Sequence, residues 1–296
     1  MGWCHHRGQR EARVKYGIII PTRDRFDLLA KTVPHWLEQD LPIVLMVEYA
    51  QLTMHRSLVR ENGWPIKVYC HQDSGRGVGY ARHSCVDLAA HYGLDAFLMV
   101  DDDTRPTKGD ARRLLKFVAS GKAMAAAAWM PNYGLWFPNG NALAKEPNLC
   151  IPRPSGPDRT IALNVELVKL VGNYDMNIDV WCDNAELNRC GIKGKQLWYV
   201  HTGLHIKSLN KHNDPGGCFT YMEQQGTDMA VRMKKLHTYV YHKWGERYIN
   251  DPSKSRMITQ WQKMYTDFIG PKCAAAVKAV TVYEDKAVKP AWRMFA

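Results

Sequence analysis

The stretch DAFLMVDDDTRP, Asp95–Pro106, decides how the rest of the chain is read. DAFLMVDDD (95–103) reads as a short buried strand broken at its end by Asp101, Asp102 and Asp103. Three adjacent carboxylates at the end of a buried strand repel one another and lose hydration, so positive charge must stand beside them. One or two carboxylates acting with phosphate oxygens form a hard ligand set suited to Mg2+ or Mn2+. Taken alone, the motif is also compatible with a solvated acidic turn.

Working back toward the N-terminus, the same kind of unit repeats. Tyr16–Ile20 is apolar and β-branched and is stopped by Pro21, which predicts a buried strand running into a loop. Helical spacing of Phe26, Leu29, Ala30 and Val33 predicts a helix over 25–38. A second strand is expected over 42–50, a helix ending at Gly63, and a third strand in PIKVYCHQ. The glycine-rich GRGVGYARHSCVDLAAHYG (75–93) begins as a loop and becomes a helix. Alternating short buried strands and helices define an α/β domain on a mostly parallel sheet. Ligands of such sheets gather at the carboxyl ends of the strands, and here those ends carry Thr22–Arg25, Glu48 and Asp101–Asp103.

C-terminal to the acidic run the pattern is less regular. It predicts a helix at 108–120, a strand in AMAAAAWMP, a loop over 131–160 and a strand leading into a short helix at 161–172. A helix in NAELNRCGIKG, a strand in KQLWYVHTG and a loop at 210–220 follow. From about 225 to 246 the pattern is helical and basic, with further short helices at 263–268 and 272–280.

At 296 residues, 46% hydrophobic and 23% charged, the chain has globular composition, which excludes disordered, collagenous and coiled-coil classes. Its longest apolar run is the eight residues Ala123–Met130, far short of the ~20 a membrane span needs. The first residues hold no apolar secretory segment, and His6 stands where a myristoylation motif requires Ser or Thr, so a cytoplasmic protein is expected. None of the eight cysteines forms a CxxC pair, which excludes zinc-ribbon and thioredoxin-type sites and leaves free thiols as the expected state. The net charge of +11 points toward a polyanionic partner.

IIIPTRDR, GRGVGYARH and FLMVDDDTRP, in this order, resemble the successive landmarks of the GT-A glycosyltransferases, especially family-two-like enzymes. The resemblance covers about residues 16–210 and implies a Rossmann-like, mostly parallel central sheet with flanking helices. It divides the chain into a flexible basic tail (1–15), a GT-A domain (16–220) and a helical C-terminal extension (221–296). It implies a donor site for a nucleotide-sugar, expected to be UDP-linked, formed by Pro21, Thr22, Arg23, Arg25, Glu48, Arg82, Asp101 and Asp102. Mn2+ or Mg2+ would be held by Asp101 and Asp103, with the register of the three aspartates open by one residue. GT-A enzymes often add a late histidine to the metal shell, and His201, His205 and, more loosely, His212 are the candidates.

A second landmark, VGNYDMNIDVWCDNAELNRCGIKG (171–194), resembles the family segment that carries the general base of inverting enzymes. The match falls on Asp183, with Glu186 one helical turn later. Cys182 or Asn184 stands where a second acid is common, so the register differs from the family pattern. The alternative role for Asp183 is as the N-cap of the helix that follows.

The chain is also similar to the bacteriophage DNA-modifying branch of this fold, the TET-associated glycosyltransferases. That similarity rests on the compact core, the lack of a membrane anchor and HNDPGGCFT (212–220). It implies transfer to hydroxymethylated pyrimidines in DNA, in host cytoplasm if phage-encoded. Lys234, Lys235, Lys243 and Trp244, basic residues interleaved with aromatics, are the expected DNA contacts. A glycan, lipid or protein acceptor, and a non-enzymatic nucleotide- or nucleic-acid-binding module, are the alternatives.

Overall fold

In the computed structural model the described residues are 15–72, 77–121, 123–130, 144–145, 149–153, 159–177 and 198–209, with single residues at 226, 231 and 238. The first hundred residues alternate as the sequence pattern requires: β1 (Tyr16–Thr22), α1 (Phe26–Leu37), β2 (Ile43–Glu48), α2 (Leu52–Glu61), β3 (Lys67–His71), α3 (Val78–His91) and β4 (Ala96–Val100). A short 3-10 turn, Tyr49–Gln51, joins β2 to α2. There follow β5 (Thr104–Gly109), α4 (Ala111–Ala119), β6 (Ala125–Trp129), β7 (Cys150–Arg153), β8 (Thr160–Asn164), α5 (Val165–Val171) and β9 (Trp198–Ser208).

Among the described residues these strands form one sheet in the order β3-β2-β1-β4-β8-β6-β9-β5, with β7 also paired to β9. The half that contains β3, β2, β1 and β4 is parallel throughout. Beyond β4 the sheet is mixed: β8 runs antiparallel to both β4 and β6, β9 runs parallel to β6, and β5 and β7 are antiparallel to β9.

The continuous apolar runs of β1, β2 and β4 follow from burial on both faces, which is the condition of parallel strands under crossover helices. Side chains alternate between two packed layers. Ile18, Ile20, Leu45, Val47, Leu98 and Val100 face one layer, which α1 and α4 close with Leu29, Val33, Trp36, Leu114 and Leu115. Ile19, Met46, Phe97 and Met99 face the other, closed by Cys85, Val86 and Ala89 of α3 and by Val165 and Val168 of α5. Of the described cysteines, Cys70 is half-buried in β3 and Cys85 and Cys150 are buried.

β5 was not visible in the sequence, where a helix was expected from 108. Its segment TRPTKG is polar, carries Pro106 and has no apolar alternation. It forms because β9 offers a ladder along that edge, and an edge strand tolerates lysine and proline. The helix begins instead at Ala111, where the Asp110 side chain accepts a hydrogen bond from the Arg112 backbone N–H at 2.8 Å. Gly109 permits the corner between the two: its φ is +96°, and a Cβ there would lie 2.1 Å from the Gly203 carbonyl oxygen.

The tail expected at 1–15 lies outside the described residues except for Lys15. The expected extension at 221–296 lies outside them except at the three single positions. Among the described residues no helix is long and apolar enough to cross a membrane.

Candidate functional site

The loops that leave β1, β2 and β4 and the first turns of α3 meet at one end of the parallel half-sheet. Each carboxylate of the acidic run has its own cationic partner there. Asp102 is buried: its Oδ1 accepts from Arg25 Nη1 at 2.7 Å and its Oδ2 from the Thr22 hydroxyl at 2.8 Å. The Thr32 hydroxyl donates to the Asp102 carbonyl at 2.9 Å, so α1 also anchors the turn. Asp101 faces Arg82 of α3 at 3.4 Å. Asp103 Oδ2 accepts from Arg159 Nη1 at 3.0 Å and from the Ser208 hydroxyl at 3.3 Å, with Arg25 Nη2 at 3.7 Å.

The loop after β1 is fixed by the same logic. Arg23 pairs with Glu48 at 3.4 Å, and Asp24, at φ +45°, is tied to Gln51 through its backbone N–H and its carboxylate. Pro21 stands in β1 opposite Met46 of β2. Pro21, Thr22, Arg23, Arg25, Glu48, Arg82 and Asp101–Asp103 are therefore gathered at one sheet end, as expected from the strand order.

Two members of the site carry no sequence signal. Arg159 and Ser208 reach Asp103 across sequence separations of 56 and 105 residues. Their positions come from pairing. The β4–β8 register ends at Val100 against Thr160, so the Asp101 N–H donates to the Arg159 carbonyl at 2.8 Å. The β5–β9 register sets Thr104 against Ser208, and the Leu209 N–H donates to the Asp103 carbonyl at 2.7 Å.

Burial raises the carboxyls of Asp101 and Asp102. The Asp101 side chain keeps 30% of its surface at the cluster's mouth, yet its low-dielectric surroundings dominate. Burial pushes its carboxyl up to about 8, against the pull of Arg82 and with the Asp103 charge adding to the rise. Burial likewise pushes Asp102 up to about 6, opposed chiefly by Arg25.

The residues present fit a hard divalent cation. Asp103 Oδ1 is buried and has no hydrogen-bond partner, an arrangement that calls for an ion or water. Asp101 offers a second carboxylate, and two protein oxygens completed by phosphate and water are a Mg2+- or Mn2+-type set. Among the described residues no group of three His, Cys, Asp or Glu converges on one point.

The structure does not bring His201 or His205 to this cluster. Asp103 meets β9 at Ser208, three residues beyond His205 and seven beyond His201, and His205 falls on the opposite face of the strand from Ser208. The His205 ring lies against Trp129. His201 is buried, its ring 5.8 Å from that of Phe117, and its Nδ1 accepts from the Gly203 N–H at 2.8 Å. Burial lowers its pKa to about 4. Asp183, Glu186, His212, Lys234, Lys235, Lys243 and Trp244 lie outside the described residues.

No protein-family model matches this sequence, and no curated protein matches it significantly. Solved structures do share the fold. GalNAc-T7 with UDP, GalNAc and Mn2+ superposes with a TM-score of 0.56 at 12% identity over 90% of this chain, which spans 58% of that one. The Pyrobaculum calidifontis mannosyltransferase PcManGT with GDP-Man and Mn2+ gives 0.50 at 16% identity, over 96% of this chain and 79% of that one. S. aureus TarS 1-349 gives 0.53 at 12% identity, over 94% and 78%. At such identities the likeness establishes the fold, which is the GT-A fold.

Proposed function

We propose that the chain is a metal-dependent glycosyltransferase that moves a sugar from a nucleoside-diphosphate sugar to a hydroxyl. The observation that carries this reading is the convergence of Thr22–Arg25, Glu48, Arg82 and Asp101–Asp103 at one sheet end of a GT-A fold, with Asp103 Oδ1 buried and unpartnered. Solved structures of the same fold contain UDP or GDP-Man together with Mn2+, which supports a donor of this class.

In this reading the loop after β1 and Glu48 hold the nucleoside, Arg82 lies near the donor phosphates, and Asp101 and Asp103 hold the cation. A divalent cation bound there supplies charge stabilisation to the departing diphosphate. The Arg25 and Thr22 contacts keep Asp102 from competing, since both of its oxygens are already engaged. Asp183 takes the proton of the acceptor hydroxyl during attack, and one in-line displacement inverts the anomeric centre.

For the acceptor we propose a hydroxymethylated pyrimidine in DNA, gripped through Lys234, Lys235, Lys243 and Trp244. The support is the +11 net charge and the similarity of HNDPGGCFT to the DNA-modifying branch. The target base would have to leave the stack to present its hydroxyl. The test is incubation of the full chain with Mn2+, hydroxymethylated DNA and a panel of nucleotide-sugars, followed by mass analysis of released nucleosides. A base heavier by one sugar, lost on chelation, is expected. Hydrolysis of a nucleotide-sugar without DNA modification would overturn the acceptor, and inertness toward every donor would overturn the enzyme.

A further inference from the structure

The two oxygens of Asp103 stand in different environments. Oδ2 is held by the Arg159 guanidinium at 3.0 Å, by the Ser208 hydroxyl at 3.3 Å and by Arg25 Nη2 at 3.7 Å. Arg159 Nη1 also donates to Ser208 Oγ, so these two partners brace each other. Oδ1 is buried and unpartnered. The side chain of Asp103 is only 4% exposed, which leaves the carboxylate little freedom to rotate without breaking those bonds.

We infer that Arg159 and Ser208 are positioning residues that lock Asp103 as a one-oxygen ligand, and that this lock makes the site select Mn2+ and Mg2+ against Ca2+. The inference rests on the metal reading above. Mg2+ requires near-ideal octahedral geometry with short bonds, which a single fixed carboxylate oxygen satisfies. Ca2+ takes more oxygens and often binds a carboxylate through both. With Oδ2 occupied by Arg159 and Ser208, the two-oxygen mode is closed. Both partners come from strands distant in sequence, β8 and β9, so the sheet itself sets the selectivity.

The selectivity ratio isolates this effect. Arg159 repels any divalent cation, and removing it changes that repulsion for Mn2+ and Ca2+ alike. The repulsion therefore cancels in the ratio of the two affinities, whereas the number of oxygens Asp103 can offer does not.

The experiment titrates Mn2+ into the full chain by electron paramagnetic resonance, with Ca2+ as competitor and UDP held at one saturating concentration to supply the phosphate oxygens, for wild type, Arg159→Ala, Arg159→Lys and Ser208→Ala. Thermal melting confirms the fold of each. The Asp101 N–H bond to residue 159 uses the backbone carbonyl and survives substitution. Wild type is expected to prefer Mn2+. Arg159→Ala should move that ratio toward Ca2+, because the group that orients the ligand oxygen is gone. Ser208→Ala should move it in the same direction, and Arg159→Lys, which keeps a donor and a charge, should restore most of it. A preference unchanged in both alanine variants overturns the inference and leaves the metal reading intact. Failure of wild type to bind Mn2+ at all overturns both.

Discussion

Arg25 and Asp102 stand 77 residues apart in sequence and 2.7 Å apart in space, and their ion pair joins the loop after β1 to the turn after β4. Both side chains are largely buried, 14% and 6% exposed. Removing one partner of such a pair leaves an uncompensated buried charge. Arg25→Ala should therefore destabilise the chain by roughly 3 kcal/mol near neutral pH, measured by denaturant unfolding. Asp102→Asn, which keeps the shape and removes the charge, should cost less. Equal stability of Arg25→Ala and wild type would show that the pair does not hold these loops.

The raised carboxyls give a pH dependence of definite sign. A carboxyl whose pKa is higher in the folded state favours the fold while it is protonated, and that contribution is lost as pH rises through its folded value. For Asp102 and Asp101 the loss runs through about 6 and about 8. A cation at Asp101 competes with the proton, so the gain in Tm on adding Mn2+ should be small at about pH 5.5 and largest above about pH 8. Thermal unfolding with and without Mn2+ at the two pH values checks this. A gain that is larger at the acidic value would contradict the assignment of Asp101.

Gly109→Ala tests the corner from which β5 enters α4. The added Cβ would meet the Gly203 carbonyl at 2.1 Å, in a backbone conformation of φ +96°. A loss of at least ~2 kcal/mol is expected from strain and displacement together. Gly121→Ala serves as comparison: its φ is +74° but nothing lies within 4 Å of the added Cβ, so its loss should be smaller.

Asp183→Asn tests the proposed general base. The substitution keeps shape and much of any capping ability while removing the carboxylate proposed to accept the proton. Turnover should fall by roughly 10²–10⁴-fold, with little change in donor affinity. The wild-type product should have inverted configuration. Near-normal turnover of the variant would leave Asp183 as a helix cap and transfer the role to Glu186. A retained configuration would reject single displacement altogether.

Much of the parallel half of the sheet was legible because its signals are local. A strand buried on both faces must be apolar throughout, so Ile18–Ile20, Leu45–Val47 and Phe97–Val100 announce themselves. Polar residues directly after such runs fall at the strand ends, where parallel sheets bind ligands. The charge problem of Asp101–Asp103 was likewise readable, since three adjacent carboxylates require nearby cations wherever the chain takes them. Which cations answer was not readable in full. Arg25 and Arg82 sit within landmarks, but Arg159 and Ser208 reach Asp103 only because β8 pairs with β4 and β9 with β5, in registers set by the whole sheet. The same pairing turned TRPTKG into a strand against its composition, and it put Ser208 at Asp103 where His201 or His205 was expected. Local pattern determined which segments are strands of a parallel core and where their charged ends lie. Long-range pairing alone decided which side chains meet there, because hydrogen-bond register between distant strands leaves no periodicity in either one.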